Sequence, residues 1–161
     1  MVNLKKETYL KILFLLSFAI LSFAYAVQYL LEFQPCNLCL IERIPYFLAL
    51  IVLLLNFQFK RDYIFYSILL LLIFAFSFFI SVYHLAIEQG FINESTVCLS
   101  NQVDLIAKDE ILKSLKQIKI SCKNVAFKIF GLSLTTYNVL ISIFMFSISS
   151  KIYYISNEIK K

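Results

Sequence analysis

The sequence predicts an all-α protein: a four-helix transmembrane bundle with two cysteine-bearing loops on its non-cytoplasmic side. Three observations carry this. Hydrophobic residues make up 61% of the 161-residue chain and charged residues only 16%, against roughly 45–50% and about 25% in soluble domains. The apolar residues fall into four long stretches separated by charged or cysteine-bearing segments. Each stretch reaches or approaches the roughly 20 residues that a helix, rising about 1.5 Å per residue, needs to cross about 30 Å of hydrocarbon.

The first span, 12–31, has no charge until Glu32. It is longer than a signal-peptide core and no A-x-A-like site follows it, so it is expected to be a retained helix. The second, 44–59, is the shortest at 16 residues and lengthens if residues 40–43 are helical. Pro45 is comfortable only in a helix's first turn, so either the helix begins near Glu42 or Pro45 kinks a longer one. The third span, 63–85, is rich in Leu, Ile and Phe. The fourth, 129–149, is followed by Tyr153 and Tyr154, suited to a membrane interface. Residues 32–43 form a short loop with Pro35, Cys36 and Cys39, 60–62 a tight turn, and 86–128 a long loop with Cys98 and Cys122. The whole, 1–161, reads as a single integral membrane domain.

The net charge of +5 does not mark a nucleic-acid-binding protein, because the lysines cluster at helix ends, where they meet lipid headgroups. Lys5, Lys6, Lys11, Lys60, Arg61, Lys151, Lys160 and Lys161 lie on one face. Arg43 and six lysines of the long loop lie on the other. The positive-inside rule makes the first face cytoplasmic by one residue, and the cysteines decide in the same direction, since paired thiols belong outside the reducing cytosol. Within the long loop Ile111, Leu115, Ile118 and Cys122 recur at helical spacing. Residues 103–118 are either an amphipathic helix on the membrane surface or an ordinary loop.

Chemistry concentrates in Pro35-Cys36-Asn37-Leu38-Cys39. A C-x-x-C pair brings two sulfurs within bonding reach, and an adjoining helix N-terminus stabilises a thiolate. Arg43, four residues after Cys39, stands one helical turn away if the stretch is helical; otherwise it snorkels to the headgroups. Glu42 brings a negative charge next to Arg43 that blunts its effect on Cys39. A structural disulfide is the competing reading of the pair, although so short a loop removes little unfolded-state entropy. No metal site is assigned: the other two cysteines are 24 residues apart rather than in a second C-x-x-C, and the chain has one histidine. Cys98 and Cys122 either present a disulfide to a soluble partner or staple the long loop, a closure worth roughly 3 kcal/mol. Together the pairs favour electron transfer, because thiol–disulfide exchange needs sulfurs that meet. His84, four residues before Glu88, either moves protons or is simply hydrogen-bonded at a helix end.

The run Pro35 to Tyr46 resembles the first periplasmic loop of the DsbB disulfide bond formation protein family. Tyr83-His84 with Glu88, Gly90 and Cys98 resembles the end of that family's third helix and its second loop. Ser121-Cys122, Gly131-Leu132-Ser133 and Asn138 resemble the entry to its fourth helix. The resemblance implies a multi-pass protein of the bacterial inner membrane with both termini cytoplasmic. It implies a DsbA-like periplasmic thioredoxin-fold partner and a ubiquinone or menaquinone acceptor. It further implies that the partner attacks Cys98, that Cys122 is its mate and then attacks Cys36, and that Cys39 passes electrons to the quinone beside Arg43 and His84. Lys123 stands where relatives often carry an acid. The alternative from a different class is a structural or partner-binding membrane protein with two inert disulfides.

Overall fold

The computed structural model describes residues 2–59, 63–94, 98, 122–123, 128–129 and 131–160. Among the described residues the helices are α1 (Val2–Tyr29), α2 (Asn37–Ile41), α3 (Arg43–Gln58), α4 (Tyr63–Glu88) and α5 (Leu134–Lys160), with a two-stranded ladder, β1 (Lys128–Ile129) and β2 (Leu132–Ser133), before α5. Four helical stretches among the described residues, Lys6–Tyr29, Asn37–Gln58, Tyr63–Glu88 and Leu134–Glu158, are long and apolar enough to cross a membrane.

Several boundaries differ from the sequence expectation. The first helix starts well before residue 12, because the polar N-terminal residues are also good helix formers. The short second span gains length at its start. α2 runs into α3 through Glu42, whose backbone is itself right-handed helical (φ −62°, ψ −19°). Pro45 then falls in the first turn of α3, where its missing N–H costs nothing. Residues 129 and 131–133 are not helical: Ile129 pairs antiparallel with Leu132, with Gly131 at φ +83°. The last helix begins only at Leu134, capped by Ser133, whose Oγ accepts the Thr136 N–H at 3.2 Å. The turn at 60–62 and the stretch 103–118 lie outside the described residues.

Helix ends set the loops. α4 stops at a Schellman-type cap: Phe91 N–H donates to Ala86 O at 2.9 Å and Gly90 N–H to Ile87 O at 3.0 Å. Gly90 has φ +80°, a left-handed backbone that glycine adopts without penalty. After α1, Glu32 takes φ +56° and turns the chain toward Pro35 and Cys36.

The bundle core draws on all four spans: Leu10, Leu13 and Leu21 from α1, Tyr46, Ala49 and Leu53 from α3, Leu70 and Phe74 from α4, and Met145 and Ile152 from α5. Apolar side chains such as Phe18, Phe47, Leu54, Phe65, Phe79 and Phe144 are exposed, as a lipid-facing surface requires. In lipid the hydrophobic effect does not hold helices together, so small residues and interhelical hydrogen bonds matter. The structure supplies both. Ser77 and Ser81 of α4 face Asn138 and Ser142 of α5. The Ser77 and Ser142 hydroxyls are 3.1 Å apart, and Asn138 Nδ2 donates to Ser81 Oγ at 2.8 Å. Tyr46 of α3 donates its O–H to Asn138 Oδ1 at 2.6 Å. This ladder pins the ends of three helices around one end of the bundle, where all four cysteines gather.

Candidate redox site

Cys36 is the N-cap of α2. Its Sγ accepts the Cys39 N–H at 3.2 Å, so one free donor of the helix start is spent on a sulfur. Cys36 and Cys39 are unbonded thiols, whereas Cys98 and Cys122 are joined in a disulfide. The end of α4 delivers His84 to the pair, with Nε2 3.6 Å from Cys36 Sγ. On the other side of the ring, Nδ1 is 3.0 Å from Glu42 Oε1. With Nδ1–H donating to that carboxylate, Nε2 is left facing the sulfur. His84 and Glu42 are buried, so the three groups form a hydrogen-bonded line, Glu42–His84–Cys36, largely shielded from water.

The thiolate-stabilising contacts converge on Cys36. The hydrogen bond from the Cys39 side chain is the largest influence, and His84 adds to it against the opposing effect of burial. Together they bring the Cys36 thiol down to about 5. Sequence reasoning gave the helix-end effect to the pair as a whole and the arginine effect to Cys39; in the folded chain Cys39 is the donor and Cys36 the acceptor.

Arg43 turns away from Glu42 toward α1. Its guanidinium donates to Gln28 Oε1 and, at 3.3 Å, to Ala24 O, and it lies 5.0 Å from the Tyr25 ring centre. The expected blunting of Arg43 by Glu42 therefore gives way to a different arrangement, in which the carboxylate is engaged by His84. Arg43 still shares a cavity with Cys39. The cavity, of about 420 Å³, is lined by apolar residues of α1 and α5 such as Ile20, Phe23, Val27 and Ile141. Its polar groups include Gln28, Gln34, Glu42, Arg43, His84, Glu88 and Asn138, with Cys36, Cys39 and Cys122 at its wall.

The two cysteine pairs meet. Cys36, Leu38, Ile87, Cys98 and Cys122 form one buried cluster, with Cys39 and Ile41 packed against it. Cys98 is 0% exposed, so the disulfide is covered rather than displayed at the surface. Glu94 ties the two segments together by accepting the Lys123 N–H at 3.0 Å. An acidic group thus sits beside Cys122 although the next residue is a lysine.

Every residue singled out from sequence (Cys36, Cys39, Arg43, His84, Cys98 and Cys122) lies at this end of the bundle. Sequence reasoning missed Glu42 as the partner of His84, and Gln28 and Tyr25 as the seat of Arg43. Gln28 carried a usable signal, since it is the one amide in the first apolar span and polar groups in membrane helices seldom lack a role.

Comparison with known proteins agrees with this geometry. The family model described as disulfide bond formation protein DsbB matches residues 6–151. An uncharacterized protein of Rickettsia prowazekii (strain Madrid E), RP370, is 36% identical over 138 residues, covering 82% of this chain and 78% of its own. No solved structure matches. With four membrane-spanning helices and a family match over nearly its whole length, this chain is a multi-pass membrane protein belonging to the DsbB disulfide bond formation family.

Proposed function

We propose that this protein is a thiol:quinone oxidoreductase. In this reading it accepts electrons from a reduced periplasmic thioredoxin-fold protein of the DsbA type and passes them to ubiquinone or menaquinone in the bacterial inner membrane. The observation that carries the reading is the single buried cluster in which both cysteine pairs meet beside an apolar cavity. Both termini are cytoplasmic and both cysteine segments periplasmic, supported by the distribution of basic residues and by the Cys98–Cys122 disulfide.

The cavity suits a quinone. Its volume lies in the range of small-molecule sites, its walls are apolar, and it offers a few convergent polar groups, Arg43 and His84 among them. When bound there, a quinone supplies the acceptor for two electrons and two protons. The protein's own residues do the rest. The partner's thiolate attacks Cys98, breaking the Cys98–Cys122 bond and freeing Cys122 as a thiolate. Cys122 attacks Cys36 of the oxidised C-x-x-C pair, releasing Cys39 as a thiolate at the cavity wall. The partner's second thiolate resolves the mixed disulfide and frees Cys98, which attacks Cys122, re-forming Cys98–Cys122 and releasing Cys36 as a thiolate. His84 faces that thiolate at 3.6 Å and stabilises it, and the Glu42 carboxylate holds the imidazole in place. Arg43, fixed by Gln28, Ala24 and Tyr25, presents a permanent positive charge to the cavity.

Purified protein in detergent should oxidise a reduced thioredoxin-fold substrate only when a quinone is supplied. Cys39→Ser should reduce the rate to background. Undiminished quinone-dependent turnover by that variant would exclude the electron route.

A further inference from the structure

We infer that the reduced Cys36/Cys39 pair and His84 form a binding site for a thiophilic divalent cation, Zn2+ in the first instance, that exists only in the reduced state of the pair. This goes beyond electron transfer to a quinone and does not depend on it.

The donor atoms are already gathered. Cys36 Sγ, Cys39 Sγ and a His84 ring nitrogen lie within 4.8 Å of one another. Tetrahedral zinc with Zn–S of about 2.3 Å and Zn–N of about 2.0 Å needs donors roughly 3.5–3.8 Å apart. The Cys36–His84 separation of 3.6 Å meets this already, and the remaining separations close by about 1 Å or less. No spacing motif announces this donor set, because the histidine is 48 residues from Cys36 and is brought in by α4.

Three further features favour a metal. The Cys39 N–H donates to Cys36 Sγ, an arrangement that supports a metal-bound thiolate. The Glu42 carboxylate holds the far nitrogen of His84, fixing the tautomer that leaves Nε2 free to ligate. A carboxylate behind a histidine is the usual outer shell of a zinc site. Charge is the third: the buried pocket must accept two thiolates for coordination, and a divalent cation cancels them, leaving a neutral core, the form a low-dielectric site tolerates. All three donors line the cavity, which leaves room for water as a fourth ligand.

Binding exchanges two protons, held by the sulfurs or by the His84 ring, for one Zn2+ and moves no electrons. Oxidation joins Cys36 to Cys39 and removes both thiolates, so the site disappears. A bound cation therefore holds the pair reduced and blocks its sulfurs from exchange.

The test uses the full chain in detergent, in a Cys98→Ser/Cys122→Ser background so that only one pair can be reduced. After chelator treatment and reduction, with no quinone or thiol substrate present, Co2+ is titrated as a spectroscopic probe. One equivalent should produce thiolate-to-cobalt charge transfer and the visible bands of tetrahedral cobalt, and Zn2+ should bleach them one for one with an apparent Kd at or below about 1 μM. Oxidation to the Cys36–Cys39 disulfide should abolish the signal, and Glu42→Gln should weaken binding roughly 10- to 100-fold. His84→Gln should lose the tetrahedral bands. The inference is overturned if the reduced protein gives no charge-transfer band, or if His84→Gln and Glu42→Gln both bind as tightly as the parent. Should His84→Gln fail to fold by circular dichroism, the Glu42→Gln titration decides. A negative result leaves the quinone reading standing, and absence of quinone turnover leaves the cobalt titration unaffected.

Discussion

Cys36 concentrates the consequences of a few contacts. A hydrogen bond from the Cys39 side chain, the Cys39 N–H and His84 all favour its thiolate, while burial opposes it, and the balance sits at about 5. An ordinary thiol, near 8.5, loses its nucleophilic form through neutral pH. A depressed value means that the thiolate persists through neutral pH and is lost only as pH falls through about 5. The alkylation rate of Cys36 in the reduced protein, followed by fragment mass spectrometry with chelator present, should therefore show a midpoint near pH 5. In His84→Gln the midpoint should rise by about one unit or more, a tenfold loss of rate per unit on the acid side. A midpoint unchanged by that substitution would mean that the imidazole contributes nothing to the sulfur. Glu42 and His84 were not legible as a pair in the sequence, because 42 residues separate them and only the packing of α4 beside the start of α3 brings them together. The C-x-x-C pair was legible, because its two sulfurs are held close by three peptide units whatever the fold around them.

Among the helices, what was legible followed from what lipid demands. A span must be long and apolar, so four stretches announced themselves. Their ends were harder to see. Helix starts depend on caps, and the hydropathy that locates a span does not report whether Ile129 pairs with Leu132 in a ladder or begins a helix. Nor does it show which polar side chains face one another. Asn138 is the clearest case, since its amide joins three helices by accepting from Tyr46 of α3 and donating to Ser81 of α4. Interhelical hydrogen bonds in bilayers are worth about 0.6 kcal/mol on average and up to about 1.7. Tyr46→Phe, which removes the hydroxyl but keeps the ring against Phe74, should lower stability to unfolding in detergent by about 0.6 kcal/mol. Asn138→Ala, which breaks both bonds and leaves a void, should cost about twice that or more. Equal unfolding midpoints for parent and Asn138→Ala would show that the ladder does not hold these helix ends.

For the molecule as a whole, the proposed electron route depends on two cysteine pairs from separate segments sharing one enclosed end of the bundle. The short segment between α1 and α2 cannot move far, because Cys36 caps α2 and Leu38 is buried with it. In the proposed route the disulfide Cys98–Cys122 is therefore the part that must shift to meet a partner, since Cys98 is wholly covered. That arrangement has a direct chemical consequence. With Cys39 and Cys98 both changed to serine, only Cys36 and Cys122 remain, one a stabilised thiolate and the other packed in the same cluster. A mild two-electron oxidant should then join them, with the loss of two thiol protons, and the product should appear as a mass two hydrogens lower that no longer reacts with maleimide until reduced. Exchange requires the attacking and receiving sulfurs to approach in line, so a bond that forms rapidly at low oxidant demonstrates that the segments reach each other within the intact bundle. If both thiols stay open to maleimide under oxidant that fully closes Cys98–Cys122 in the parent chain, the two pairs do not communicate, and electrons entering at Cys98 have no route to the cavity beside Cys39.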